Sequence, residues 1–170
     1  MENTIAPGQL AFVDRVGRHF AKQYGVPPAT GRVVGWLLIC DPPQQTAAAI
    51  AEAVGISRSA VGGAVAMLET WGVVRKTRQP GERADRIVIS GGFGSDSVGR
   101  VDEYETLAAF ARDGLELLAG APERQRARLL ELAAFSDFLI ERLPRLADEW
   151  RERRDELRAA GALPREEWCP

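Results

Sequence analysis

Between Thr46 and Ile89 the chain switches from helical to strand-like patterning, and few folds accommodate that order. Ala49, Ile50, Ala53 and Val54 form one apolar helical face, and Gly55 follows where a left-handed residue ends a helix. Ile56 fills the gap before a second helical pattern. Val61, Ala64, Val65, Leu68 and Trp71 recur at three- and four-residue steps, which predicts a helix over about Arg58 to Trp71. Thr46 and Ser57 stand just ahead of the two helices, where a hydroxyl can accept from unpaired first-turn N–H groups. Gly72 breaks the second helix. Val73 to Arg78 and Arg86 to Ile89 have strand propensity and flank a polar tip containing Pro80-Gly81.

Helix, turn, helix, hairpin is the order of a winged helix-turn-helix, and the second helix is then the candidate recognition helix. Its outward stripe holds Arg58, Ser59, Gly62, Gly63, Ala66 and Thr70, which is short and nearly uncharged. Two glycines inside a helix cost roughly 1 kcal/mol each relative to alanine, so either close packing or close contact with a groove must account for them. Charge is distributed unevenly. Gly55 to Gly94 carries six basic and three acidic residues, a net of +3, while Arg100 to Pro170 carries 12 basic and 16 acidic, a net of −4. Most of the basic residues fall on the hairpin. Arg83 lies at or beside its tip, where an arginine can enter a minor groove of high negative potential. The competing reading is a solvated hairpin whose charges pair through Glu82 and Asp85.

The flanks are helical. Leu10, Val13, Val16, Phe20 and Tyr24 predict a first helix over about Gly8 to Tyr24, stopped by Gly25 and Pro27. Pro27-Pro28 opens a second, apolar nearly all round and therefore central, which Asp41-Pro42-Pro43 ends. Ser90 to Gly99 reads as a linker. Beyond it lie patterns over about Val101 to Ala119 and Glu123 to Leu143, with a third that Pro144 starts or kinks. Their wide apolar faces suit packing on the first helix, on a second subunit, or both. The expected architecture is mainly α with a small β-hairpin. Residues 1–94 form an N-terminal helix and winged helix-turn-helix, and residues 95–170 a helical dimerisation region.

Several function classes are disfavoured. The single histidine, His19, has no partner ligand in sequence, and there is no nucleophile–base pair, metal-ligand spacing or cofactor motif. Gly91-Gly-Phe-Gly94 lacks the Lys-Ser/Thr ending of a phosphate loop. Cys40 ends an apolar run and reads as a small buried hydrophobe, and Cys169 lies near the chain end. No apolar run approaches membrane-spanning length and no signal peptide is evident, so a cytoplasmic protein without membrane association is expected.

The segment Ile56-Ser-Arg-Ser-Ala-Val-Gly-Gly-Ala-Val-Ala-Met-Leu-Glu-Thr-Trp-Gly-Val-Val74 and the tip Gly81-Glu-Arg-Ala-Asp-Arg86 resemble the recognition helix and wing of MarR-superfamily regulators. The run Phe12 to Pro43 is closer to the GbsR branch, which includes regulators of glycine-betaine synthesis and uptake genes. The resemblance implies that Ser57, Arg58, Ser59, Gly62 and Gly63 face the major groove of double-stranded DNA. It implies that Arg75, Arg78, Arg83 and Arg86 serve the wing and phosphates. Family members often carry larger polar or basic groups where Gly62-Gly63 stands, so direct base readout falls to few residues here. The expected function is a homodimeric repressor on a pseudo-palindromic operator. A small-molecule effector could meet Trp36, Tyr104 and Phe110, which as aromatics on apolar faces also suit ordinary core. A winged-helix protein–protein adaptor that does not bind DNA is the alternative.

Overall fold

A computed structural model describes residues 5–78, 81, 84–90 and 100–164. Arg83, Cys169 and all of the expected linker beyond Ser90 lie outside them. The chain divides into two compact units near residue 93. Among the described residues no single helix is long and apolar enough to cross a membrane.

The first unit opens with α1 (Pro7–Tyr24) and α2 (Pro28–Leu37). The two cross at van der Waals contact of their backbones, because glycine occupies the crossing on both sides. A Cβ on Gly31 would lie 2.7 Å from both the Phe20 Cβ and the Val16 carbonyl oxygen, and 2.9 Å from Gly17 Cα. One on Gly35 would lie 3.1 Å from Val13 Cα. Asp14 and Arg32 bridge the helices at 3.1 Å. On its other sides α2 buries Val33, Val34, Trp36 and Leu37, as its all-round apolarity requires. The helix ends at Leu37, ahead of the expected stop at Asp41. The Trp36 carbonyl accepts from both Ile39 N–H at 3.0 Å and Cys40 N–H at 2.9 Å, a tightened last turn. A residue before proline avoids helical backbone, so Asp41-Pro42 already steers the preceding turn out of the helix.

Next come β1 (Gln45–Thr46), α3 (Ala47–Val54), α4 (Arg58–Thr70), β2 (Val74–Thr77) and β3 (Arg86–Ile89). The expected hairpin is one edge of a three-stranded antiparallel sheet in the order β1-β3-β2. Thr77 faces Arg86 and Val74 faces Ile89, while Gln45 and Thr46 add on the far side of β3 opposite Ile87 and Arg86. Two residues show no alternation, so β1 was invisible to periodicity. Both caps form as expected: the Thr46 hydroxyl accepts from Ala49 N–H and the Ser57 hydroxyl from Ala60 N–H, each at 3.1 Å. Gly55 takes the left-handed conformation at φ 65°, which turns the chain between α3 and α4. Val13, Phe20, Val33, Val34, Ile50, Val54, Val61, Val65, Leu68, Val74 and Ile87 share one core.

In the second unit the described residues form α5 (Asp102–Leu117) and α6 (Glu123–Ala159). Small side chains line their contact: Ala108, Ala111 and Ser136 are its fully buried residues among those described. Arg112 and Asp137 tie the helices at 2.6 Å. The two helices expected on either side of Pro144 are one, with Pro144 inside α6. Proline removes one N–H and crowds the carbonyl four residues back. The leucine-, glutamate- and arginine-rich flanks propagate the helix through that single defect.

Gly31→Ala places a methyl group against main-chain atoms that cannot rotate away. It should destabilise the first unit by about 1–3 kcal/mol, read as a lowered thermal midpoint and an unchanged denaturant m-value.

Candidate nucleic-acid interface

The packing of α4 divides its residues as the periodicity predicted. Val61, Ala64, Val65 and Leu68 are buried, and Ser57, Arg58, Ser59, Gly62, Gly63, Ala66 and Thr70 are exposed. The two glycines can now be read. A Cβ on Gly62 or on Gly63 would meet nothing within 4 Å, so no packing among the described residues requires either. This is the reverse of Gly31. An exposed helix interior has given up roughly 1 kcal/mol at each position without an intramolecular return.

The hydroxyls on this face are engaged by the helix. Ser57 Oγ accepts the capping N–H and lies 2.9 Å from Ser59 Oγ, with which it shares a hydrogen bond. Thr70 Oγ1 donates to the Ala66 carbonyl at 3.1 Å. Arg58 is the one long side chain on the stripe and makes no ion pair among the described residues.

The hairpin is braced. Lys76 Nζ donates to Glu69 Oε2 at 2.6 Å and so fixes β2 to α4. Arg78 reaches across the hairpin to Asp85 Oδ1 through Nε at 2.8 Å and its terminal nitrogen at 2.7 Å. Both pairs are well exposed, so their value is orientation more than stability. Arg86 donates to the Gln44 carbonyl at 3.4 Å, joining β3 to the segment before β1. Arg75 is exposed on β2. In the expected basic set Arg78 pairs with Asp85 and Arg86 with the Gln44 carbonyl, and the Arg78–Asp85 pair realises part of the solvated-hairpin reading.

Sequence reasoning missed the Lys76–Glu69 brace and the support under the far end of α4. Tyr24, last in α1, has its ring centroid 5.8 Å from that of Trp71, the C-cap of α4, and 5.2 Å from that of Phe20. The helical spacing of Phe20 and Tyr24 hinted at a pair, but nothing local linked either to Trp71.

Trp36, one of the three aromatics considered for an effector, is buried in the first unit's core, and its indole N–H has no hydrogen-bond partner among the described residues. Tyr104 and Phe110 belong to α5 in the second unit; Tyr104 is half-buried and Phe110 is 63% exposed. Their six-residue spacing sets them about 120° apart round that helix. Cys40 is half-buried; its thiol lies 3.8 Å from the Leu37 carbonyl and 3.9 Å from that of Pro43. Desolvation pushes its pKa up from 9.0 to about 11.

A capped helix pair, backed by α2 and closed by a three-stranded sheet, defines a winged helix-turn-helix, the class of DNA-binding module used by transcriptional regulators. Residues 24–84 match the model of the MarR family, and residues 95–153 match that of the MmpR5-like MarR family transcriptional regulators. The chain is 28% identical over 127 residues to the HTH-type transcriptional regulator MmpR5 of Mycobacterium tuberculosis, a stretch covering 74% of this chain and 76% of that one. A crystal structure of a transcriptional regulator superposes with a TM-score of 0.78, covering 86% of this chain and 99% of the other. Its 23% sequence identity makes that a likeness of fold. Over both matched stretches the chain is thus similar to MarR-family winged-helix transcriptional regulators.

The raised Cys40 pKa leaves about 0.1% thiolate at pH 8, against about 9% for a thiol at the reference value. A Cys169→Ser variant should therefore be alkylated by iodoacetamide at Cys40 roughly 100-fold more slowly than a free thiol, and faster as pH rises toward 11.

Proposed function

We propose that the protein is a homodimeric repressor acting in the cytoplasm on a pseudo-palindromic operator. The observation that carries the reading is the outward face of α4, exposed, nearly uncharged and bearing two glycines that no intramolecular packing requires. In this reading Ser57, Arg58, Ser59, Gly62 and Gly63 approach the major groove. Arg75, Arg78, Arg83 and Arg86 serve the wing and its phosphates, and two copies of α4 sit roughly 34 Å apart in successive grooves.

The second unit supports the dimer. Among its described residues it buries few side chains fully and leaves Phe110, Leu117, Phe135 and Phe138 each more than half exposed, at 63%, 87%, 54% and 56%. Apolar surface of that extent on two helices calls for a partner, and a second copy of the same helices supplies a matching one. An effector acting through Trp36, Tyr104 or Phe110 would work by favouring dimers with compatible or incompatible α4 spacing. Within the family, Phe12 to Pro43 favours a GbsR-like target set and the C-terminal match an MmpR5-like one. Genes adjoining the operator separate the two.

The test is fluorescence anisotropy on duplexes from the region upstream of the protein's own gene, across a salt series. Affinity should fall with a log–log slope of about −0.9 per neutralised phosphate, and Arg83→Glu should weaken it. Sedimentation should give a dimer that Phe138→Asp dissociates, with loss of operator affinity. A dimer that binds no duplex at any salt concentration would leave the adaptor reading in its place.

A further inference from the structure

Ser59, then Gly62 and Gly63 side by side, then Ala66 and Thr70 are linked by three- and four-residue steps, so they form a continuous strip along α4. Between the hydroxyls at its two ends the strip offers only main chain and one methyl group. Ser59 Oγ is hydrogen-bonded to Ser57 Oγ, and Thr70 Oγ1 to the Ala66 carbonyl. A helix with ordinary side chains is about 10–12 Å across and nearly fills a major groove about 12 Å wide. With its outer side chains removed, what remains toward the bases is the backbone cylinder, whose Cα radius is about 2.3 Å. Such a surface can move closer to the base edges than usual, but it has little to donate to them or accept from them.

Each base presents something different in that groove. Guanine and adenine are read by bidentate hydrogen bonds from long side chains, which this strip lacks. Thymine presents a 5-methyl group, which is read by apolar contact. We infer that the Gly62-Gly63-Ala66 strip is a close-approach reader of thymine methyl groups, leaving hydrogen-bonded base readout to Arg58 at the N-terminal edge of the helix. The inference rests on the DNA-binding reading and names the operator chemistry that it implies: a half-site centred on thymines, with a purine contact within reach of Arg58.

The experiment uses the full-length protein and a duplex selected from a random library. Replacing thymine by deoxyuridine in one half-site removes the methyl groups and leaves the pairing intact. Affinity should fall about fourfold for each contacted methyl. Gly62→Ala and Gly63→Ala should raise the thermal midpoint, since the added methyl meets no atom of the protein and alanine favours helix. The same variants should bind the selected duplex at least about tenfold more weakly, with affinity for an unselected duplex unchanged. Rising stability with falling specific affinity is the signature, because a merely tolerated glycine would give the first without the second. Equal affinity for thymine and deoxyuridine duplexes overturns the inference, as does full affinity in both alanine variants. Failure to enrich any duplex overturns the DNA-binding reading beneath it.

Discussion

The first unit is built on a place where no side chain fits. At Gly31 of α2 even a methyl group would lie 2.7 Å from main-chain and Cβ atoms of α1, so the two helices are locked at backbone distance. That contact leaves the rest of α2 free to bury Val33, Val34, Trp36 and Leu37, and α4 packs Val61, Val65 and Leu68 into the same core. It also brings the end of α1 to the far end of α4, where Tyr24 meets Trp71. Through this chain of contacts the position of the outward α4 face depends on a crossing formed elsewhere in the unit. Rigid packing of this kind transmits displacement, because a close-packed interior has few voids to absorb it.

Glycine serves two opposite purposes within one unit. At Gly17 and Gly31 neighbours inside the chain would lie under 3.0 Å from a Cβ, and at Gly35 they crowd one at 3.1 Å. At Gly62 and Gly63 the described residues offer no neighbour. The residue type alone could not separate the two cases, and the helical pattern around Gly62-Gly63 left packing and contact equally open. What separates them is the space around a hypothetical Cβ, which depends on elements distant in sequence. The wing shows the same limit. Its basic residues can be counted from the sequence, but the structure pairs Arg78 with Asp85 and Lys76 with Glu69, so part of that charge orients the hairpin.

The second unit is a lesson about proline and about isolation. Pro144 was expected to start or kink a helix; it does not start one, and α6 continues through it because one missing hydrogen bond is a local loss set against helix-forming neighbours on both sides. The wide apolar faces foreseen on these helices remain largely uncovered at Phe110, Leu117, Phe135 and Phe138. Two helices have too little mutual surface to bury them all.

The sequence by itself determined what is local. The Thr46 and Ser57 caps, the Gly55 turn, the buried stripe of α4 and the two long hairpin strands each depend on residues within a few positions of one another, where propensity and period act directly. Tertiary structure decided what depends on distant partners: the two-residue β1 beside β3, the backbone crossing at Gly31, the Tyr24–Trp71 contact and the empty space over Gly62 and Gly63. A period records which face of an element is apolar; it does not record which element covers that face, or how closely.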